Sequence, residues 1–307
     1  MTSIVTTIGT SIVRRVELWF AAPAPAERLA MMRIAVGVFA IGYLAVRAPV
    51  FLALADRDPA GFEPVGVLAW LDEPVADALV VGAFVAVCAT GAAFVAGLWF
   101  RISGPLFAVL ALLLCTYRGS WGQLLWFENL MVLHLLLVGC TRSADAFAVD
   151  ARRRMAPALS TAYGWPLRMA AVVTIVTYVL AGVAKLRIGG LDWMTGDTLR
   201  NHVAYSATRL DVLGGTPSPL ARPFVEQAWL SSPLAVATMV IELGAPVALL
   251  GGRWRTVWVA GAWLFHVGIA VLMFVVFPYP LLLVAFAPLF PLERLGPRSR
   301  RSSPLAA

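Results

Sequence analysis

The chain has 307 residues, 60% of them hydrophobic and 13% charged, with a mean hydropathy of +0.83. So little polar surface cannot cover a soluble globule, so the composition excludes an ordinary soluble domain and predicts an integral membrane protein in contact with the lipid bilayer. A net charge of +7 would suggest nucleic acid as a partner of a soluble protein, but here the arginines gather at the ends of apolar runs, where they set topology, and no nucleic-acid partner is expected.

In chain order, residues 1–30 form an amino-terminal segment. Within it Ser11–Phe20, carrying Arg14, Arg15, Trp19 and Phe20, reads either as a short helix in the headgroup layer or as a frayed tail. Apolar runs follow near 31–49, 77–99, 102–117, 122–140, 168–186, 233–251, 256–276 and 280–292. At roughly 20 residues per crossing they predict a bundle of about eight transmembrane helices over 31–292, an all-α integral membrane protein. The first run reads as an uncleaved signal anchor. The last is short and carries Pro288 and Pro291, which lowers the count to seven if it fails to cross. Residues 293–307 form a basic tail.

With the amino terminus inside, 16 of the 24 basic residues fall on the inner side and 8 on the outer. That bias predicts a multi-pass protein of the plasma membrane with both termini cytoplasmic. The longest outer loop, 187–232, contains an amphipathic stretch, Thr198–Leu210, placed to cap a cavity between helices. Cys88, Cys115 and Cys140 show no pairing or zinc-binding motif, and the three scattered histidines make a poor ligand set, so no metal is expected.

Ionisable residues inside spans are costly and need a partner, a wet cavity or a role. Five fall there: Glu128, His134, Lys185, Glu242 and His266. Lys185 is the only lysine in the chain. A desolvated lysine can lose its proton and act as a base where an arginine cannot, so the position is a catalytic candidate, against the alternative that a coding bias left one lysine by chance. Glu242 and His266 can meet if their helices are antiparallel neighbours, to steer a proton, to hold a polar ligand or simply to join helices. His134 reads as a satisfied interior histidine. Trp121 and Trp126 suit an interfacial belt, while Arg118, Gln123, Glu128 and Asn129 are placed to line the mouth of a cavity facing Lys185.

The segment Trp165-Pro-Leu-Arg168, then Tyr178-x-x-Ala181-Gly182-x-x-Lys185-Leu186, then Trp193-x-x-Gly196, resembles the signature of the HTTM (horizontally transferred transmembrane) family. That family is the membrane part of vitamin K-dependent gamma-glutamyl carboxylases and includes bacterial proteins similar to the sporulation-delaying protein B type. The resemblance implies that Lys185 deprotonates reduced vitamin K, or a menaquinol, on the extracytoplasmic side. Reaction with oxygen then gives the strong base that takes a γ-proton from a glutamate of a secreted peptide or protein. It also implies Glu128, Asn129, Glu242, His266 and Trp193 as a supporting polar cavity. The Lys185 to Trp193 spacing is longer than in the animal carboxylases, with Arg187-Ile-Gly-Gly190 inserted. The alternative is a non-enzymatic scaffold or maturation partner for a secreted peptide or protein; a transporter is disfavoured by the lack of an inverted repeat.

Overall fold

The computed structural model describes residues 13–122, 126–153, 159–195 and 197–295, and among them the chain is helical with no β-strand. Its longer helices are α1 Ala26–Val46, α2 Asp77–Ala96, α3 Phe100–Gly119, α4 Trp126–Gly139, α5 Thr161–Gly189, α6 Asp197–Val212, α7 Ala228–Leu243 and α8 Gly252–Met273. A lipid interior offers no partner to backbone N–H and C=O groups, so an apolar chain that enters it satisfies them within each segment.

Helices α1, α2, α3, α5 and α8 are long and apolar enough to cross a membrane. Helices α4 and α7 are apolar but only 14 and 16 residues long. The run expected over 233–251 divides at Gly244, continuing as a 3-10 helix, Ala245–Leu250, with Pro246 near its start. The run expected over 280–292 is not one helix: Pro278–Leu281 forms a short turn of helix and Val284–Leu289 a 3-10 segment. Prolines 278, 280 and 288 withhold the amide donors that a continuous helix needs. The stretch expected over Thr198–Leu210 is α6, and residues 13–21 are helical, as the amphipathic reading of that segment anticipated. Ser11, Gln123, Gly196 and the tail from Pro297 lie outside the described residues.

The described chain forms two compact units. One comprises its residues within 1–125, 131–170 and 290–307; the other comprises 126–130 and 171–289. In the first, α1 packs on α2 and α2 on α3, around the Phe94 ring, whose centroid lies 5.4 Å from that of Phe100 and 5.2 Å from that of Phe107. Helix α2 stops at Gly97, which takes the left-handed conformation (φ +64) that glycine adopts at least cost. The chain at 149–150 then pairs with this end, Val149 N–H donating to Ala96 O at 2.9 Å, and the Asp150 carboxylate accepts from Phe100 N–H at 3.0 Å, capping α3.

Arg33, fully buried on α1, reaches into the same junction. Its guanidinium donates to the carbonyls of Ser143 (2.8 Å) and Phe147 (2.5 Å), with longer bonds of 3.4 Å to Val95 and Ala146, and sits 5.7 Å from the Phe100 ring centroid. One side chain thereby ties α1 to the end of α2 and to the 143–147 segment.

Two glycines set a close helix approach in this unit. A Cβ on Gly104 of α3 would lie 2.5 Å from the Gly139 carbonyl oxygen, and one on Gly139 of α4 would lie 2.6 Å from the Gly104 oxygen. Backbone cannot step aside as a side chain can, and small residues are the usual means by which membrane helices come this close. Gly104→Val is therefore expected to lower the thermal unfolding midpoint and folded yield in detergent. Gly42→Val, where nothing lies within 4 Å, should leave both near wild type.

The same unit is closed by an ion pair between its first and last described segments. Arg28 donates from Nε and Nη2 to the two oxygens of Glu293, at 2.7 and 2.6 Å. These bonds hold the Glu293 carboxyl below its ordinary value. An acid whose native value is depressed contributes its stabilisation fully above the ordinary carboxylate range and loses it as pH falls through the depressed value. Limited proteolysis at the carboxyl-terminal end should accordingly quicken on acidification through that window, and Glu293→Gln should flatten the dependence. The pair is partly exposed, so the effect should be less than about 1 kcal/mol.

Candidate functional site

The second unit gathers the ionisable residues of α5, α7 and α8. Tyr178, Gly182 and Lys185 follow one another at spacings of four and three, which places them on one face of α5. Helix α7 comes against that face at Gly182: a Cβ there would meet Leu243 Cδ2 at 2.8 Å and Glu242 Cβ at 3.2 Å. The missing side chain lets Glu242 come alongside, and its Oε1 forms an ion pair with Lys185 Nζ. Glu242 is 2% exposed, whereas the Lys185 side chain retains 25%.

Two rings flank the ammonium, Trp193 at 5.0 Å and Phe265 at 5.8 Å from Nζ to ring centroid. Trp193 is brought back toward Lys185 by the 3-10 segment Gly190–Met194, entered through Gly190 at φ +57. It is fixed there by a cluster with Ala235 and Met239, against which Leu186 packs. Arg187, Ile188 and Gly189 extend α5, and Gly190 opens the turn that brings the indole over the amine.

Further along α5, the Tyr178 hydroxyl and His266 Nε2 are hydrogen-bonded at 2.8 Å. Tyr178 packs edge-on to Trp258 at 5.1 Å, and Trp258 donates from Nε1 to Ile241 O at 2.9 Å. The His266 ring lies between Phe265 and Phe277, with centroids at 5.0 and 5.2 Å. Two buried polar atoms in this group have no hydrogen-bond partner among the described residues, Glu242 Oε2 and His266 Nδ1.

Lys185, Trp193, Glu242 and His266, all singled out from the sequence, are brought into this one unit, but their pairing differs from the sequence expectation. Glu242 and His266 do not hydrogen-bond to each other: the carboxylate goes to the lysine and the imidazole to Tyr178. Glu128 is buried in the first turn of α4, while its neighbour Asn129 is exposed, so the two do not share an environment. Arg118 is buried near the end of α3, and Trp121 is buried with its ring centroid 5.3 Å from that of Phe62. His134 is fully buried with Nε2 3.2 Å from Ala170 O, a satisfied interior histidine. Among the described residues no group of three His, Cys, Asp or Glu is arranged to hold a metal. Sequence reasoning gave no role to Tyr178 or Phe265; the i, i+4, i+7 spacing of Tyr178, Gly182 and Lys185 was the signal for the first, and nothing local pointed to the second.

The profile of the HTTM domain matches residues 21–293, which hold α1 to α8. The chain belongs to the HTTM domain family. No curated protein and no solved structure matches it. The HTTM-like motif divides between the two units. Arg168 belongs to the first, where it donates to Ala22 O at 2.6 Å and covers the Trp19 ring at 5.7 Å, a scaffold role. Tyr178, Gly182, Lys185 and Trp193 assemble the polar group of the second.

Proposed function

We propose that this HTTM protein is a quinol-using membrane enzyme of the carboxylase-like kind, with Lys185 as its base. The observation that carries the reading is that the only lysine of the chain sits against a buried carboxylate and between two aromatic faces, at the partly open end of an otherwise dry group. The kinds of residue present suit reduced vitamin K or a menaquinol. Trp193, Phe265 and Phe277 offer flat apolar faces for a fused ring, and Glu242 Oε2 and His266 Nδ1 are buried polar atoms still lacking a partner. When bound, a quinol would supply an acidic hydroxyl and two reducing electrons. Lys185 Nζ would receive the hydroxyl proton, Trp193 and Phe265 would keep water from the amine, and the Tyr178–His266 pair would hold the far side of the ring.

The charge bias along the chain supports a plasma-membrane protein with cytoplasmic termini, which puts Lys185 on the extracytoplasmic side, where a secreted peptide or protein would be the final acceptor of the chemistry. A second reading, a non-enzymatic scaffold or maturation partner, has its own supporting observation: the Lys185–Glu242 and Tyr178–His266 pairs join α5 to α7 and to α8, as interhelical ties do.

The experiment that separates the two is oxygen-dependent formation of the epoxide from reduced vitamin K or menaquinol by the purified protein in lipid nanodiscs. Product from the wild type supports the enzyme. Its absence from folded wild-type protein moves the assignment to the scaffold.

A further inference from the structure

A base needs a free lone pair, yet the groups that meet Lys185 Nζ are those that suit an ammonium. The Glu242 carboxylate is its hydrogen-bonded counter-ion, and the faces of Trp193 and Phe265 attract a cation. An ammonium has no lone pair. If Lys185 is the base assigned above, its own proton must first go elsewhere, and the geometry restricts where. His266 has its Nε2 bonded to Tyr178, and no hydrogen bond joins the imidazole to Nζ among the described residues. Glu242 Oε1 is in direct hydrogen-bond contact with Nζ, on a residue that is 2% exposed.

We infer that Glu242 is the proton acceptor that turns Lys185 into a base, the two working as one unit. The step is balanced within the pair. One N–H bond of Nζ breaks, the proton moves to Oε1, and an ammonium–carboxylate pair becomes a neutral amine beside a neutral carboxylic acid. An apolar site makes this exchange cheap, because two buried charges disappear together instead of one being left unpaired. The unpartnered Oε2 works in the same direction, since no second donor secures the carboxylate in its ionised form. The neutral amine then takes the proton of a ligand hydroxyl. The overall count is one proton moved from ligand to Glu242, with Lys185 charged again and the ligand oxygen as its new counter-charge. Gly182 belongs to the device, because its missing side chain leaves room for Glu242 beside the lysine-bearing face of α5; a Cβ there would lie 3.2 Å from Glu242 Cβ.

This inference rests on the base reading, and its test reads the proton rather than the turnover. Menadiol is added anaerobically to the protein in nanodiscs, and the infrared difference spectrum is recorded. Menadiol has no carbonyl, so a new C=O stretch of a protonated carboxyl, about one per chain, is expected in wild type and should be lost in Glu242→Gln. Glu242→Asp, which keeps an acid, should retain a shifted band, so loss of fold in the Gln variant cannot be mistaken for the predicted result. No such band in wild type, or the same band in Glu242→Gln, overturns the role of Glu242. Epoxide formed by a wild type without the band would leave Lys185 as base and remove only Glu242 as its acceptor; neither band nor epoxide removes both.

Discussion

Lys185→Arg is expected to lower quinol turnover by about 10²–10⁴-fold, the range that a positioned acid–base group contributes, while leaving the protein folded. Arginine keeps its charge at any working pH, so it cannot become the neutral acceptor that the proposed chemistry requires. It can still satisfy Glu242, because a guanidinium donates to a carboxylate at least as well as an ammonium does, and it can lie over the Trp193 ring. The substitution therefore removes the proton chemistry and preserves the interhelical tie. Epoxide formation normalised to monodisperse protein from size-exclusion chromatography is the measurement. Full activity in the arginine variant would mean that charge, and not basicity, is what the position supplies.

Arg33→Ala is expected to cost on the order of 3–5 kcal/mol, because hydrogen bonds from a charged donor contribute roughly 1.5–3 kcal/mol each and the guanidinium makes two short ones. Most such variants should fail to accumulate as folded protein. The reason lies in the partners. The Arg33 guanidinium serves carbonyls at the end of α2 and in the 143–147 segment, and its removal takes the donor from all of them at once. Arg33→Lys should recover only part of the loss, because a point charge on a flexible stem cannot span carbonyls that the planar fork reaches together. Chemical unfolding followed by tryptophan fluorescence would check both variants, with Gly42→Val as the neutral reference.

The membrane class was legible because it depends on total apolar content, and the positions of the five helices long and apolar enough to cross a membrane followed from run length alone. Where the runs break was less legible. Prolines 278, 280 and 288 were visible, but whether they bend or end a helix depends on what the freed carbonyls find nearby. In the site, Lys185 stood out by being the only residue of its type, and Trp193 through the motif. The partner of Lys185 was not legible. Glu242 lies 57 residues away, and its approach is permitted by Gly182, a residue whose importance is the absence of atoms. Arg33 was read only as one positive charge among many at a helix end, since nothing local to α1 reveals that its hydrogen-bond acceptors come from beyond residue 90.

A solitary, partly open lysine is also a built-in spectroscopic handle. Apart from the α-amine at the start of the chain, Lys185 is the only primary amine in the protein. Reductive methylation with isotope-labelled formaldehyde would install a single side-chain reporter within the candidate site, in the native sequence and in a lipid environment. Its resonance would follow ligand arrival at that amine without a cysteine replacement or a fused tag.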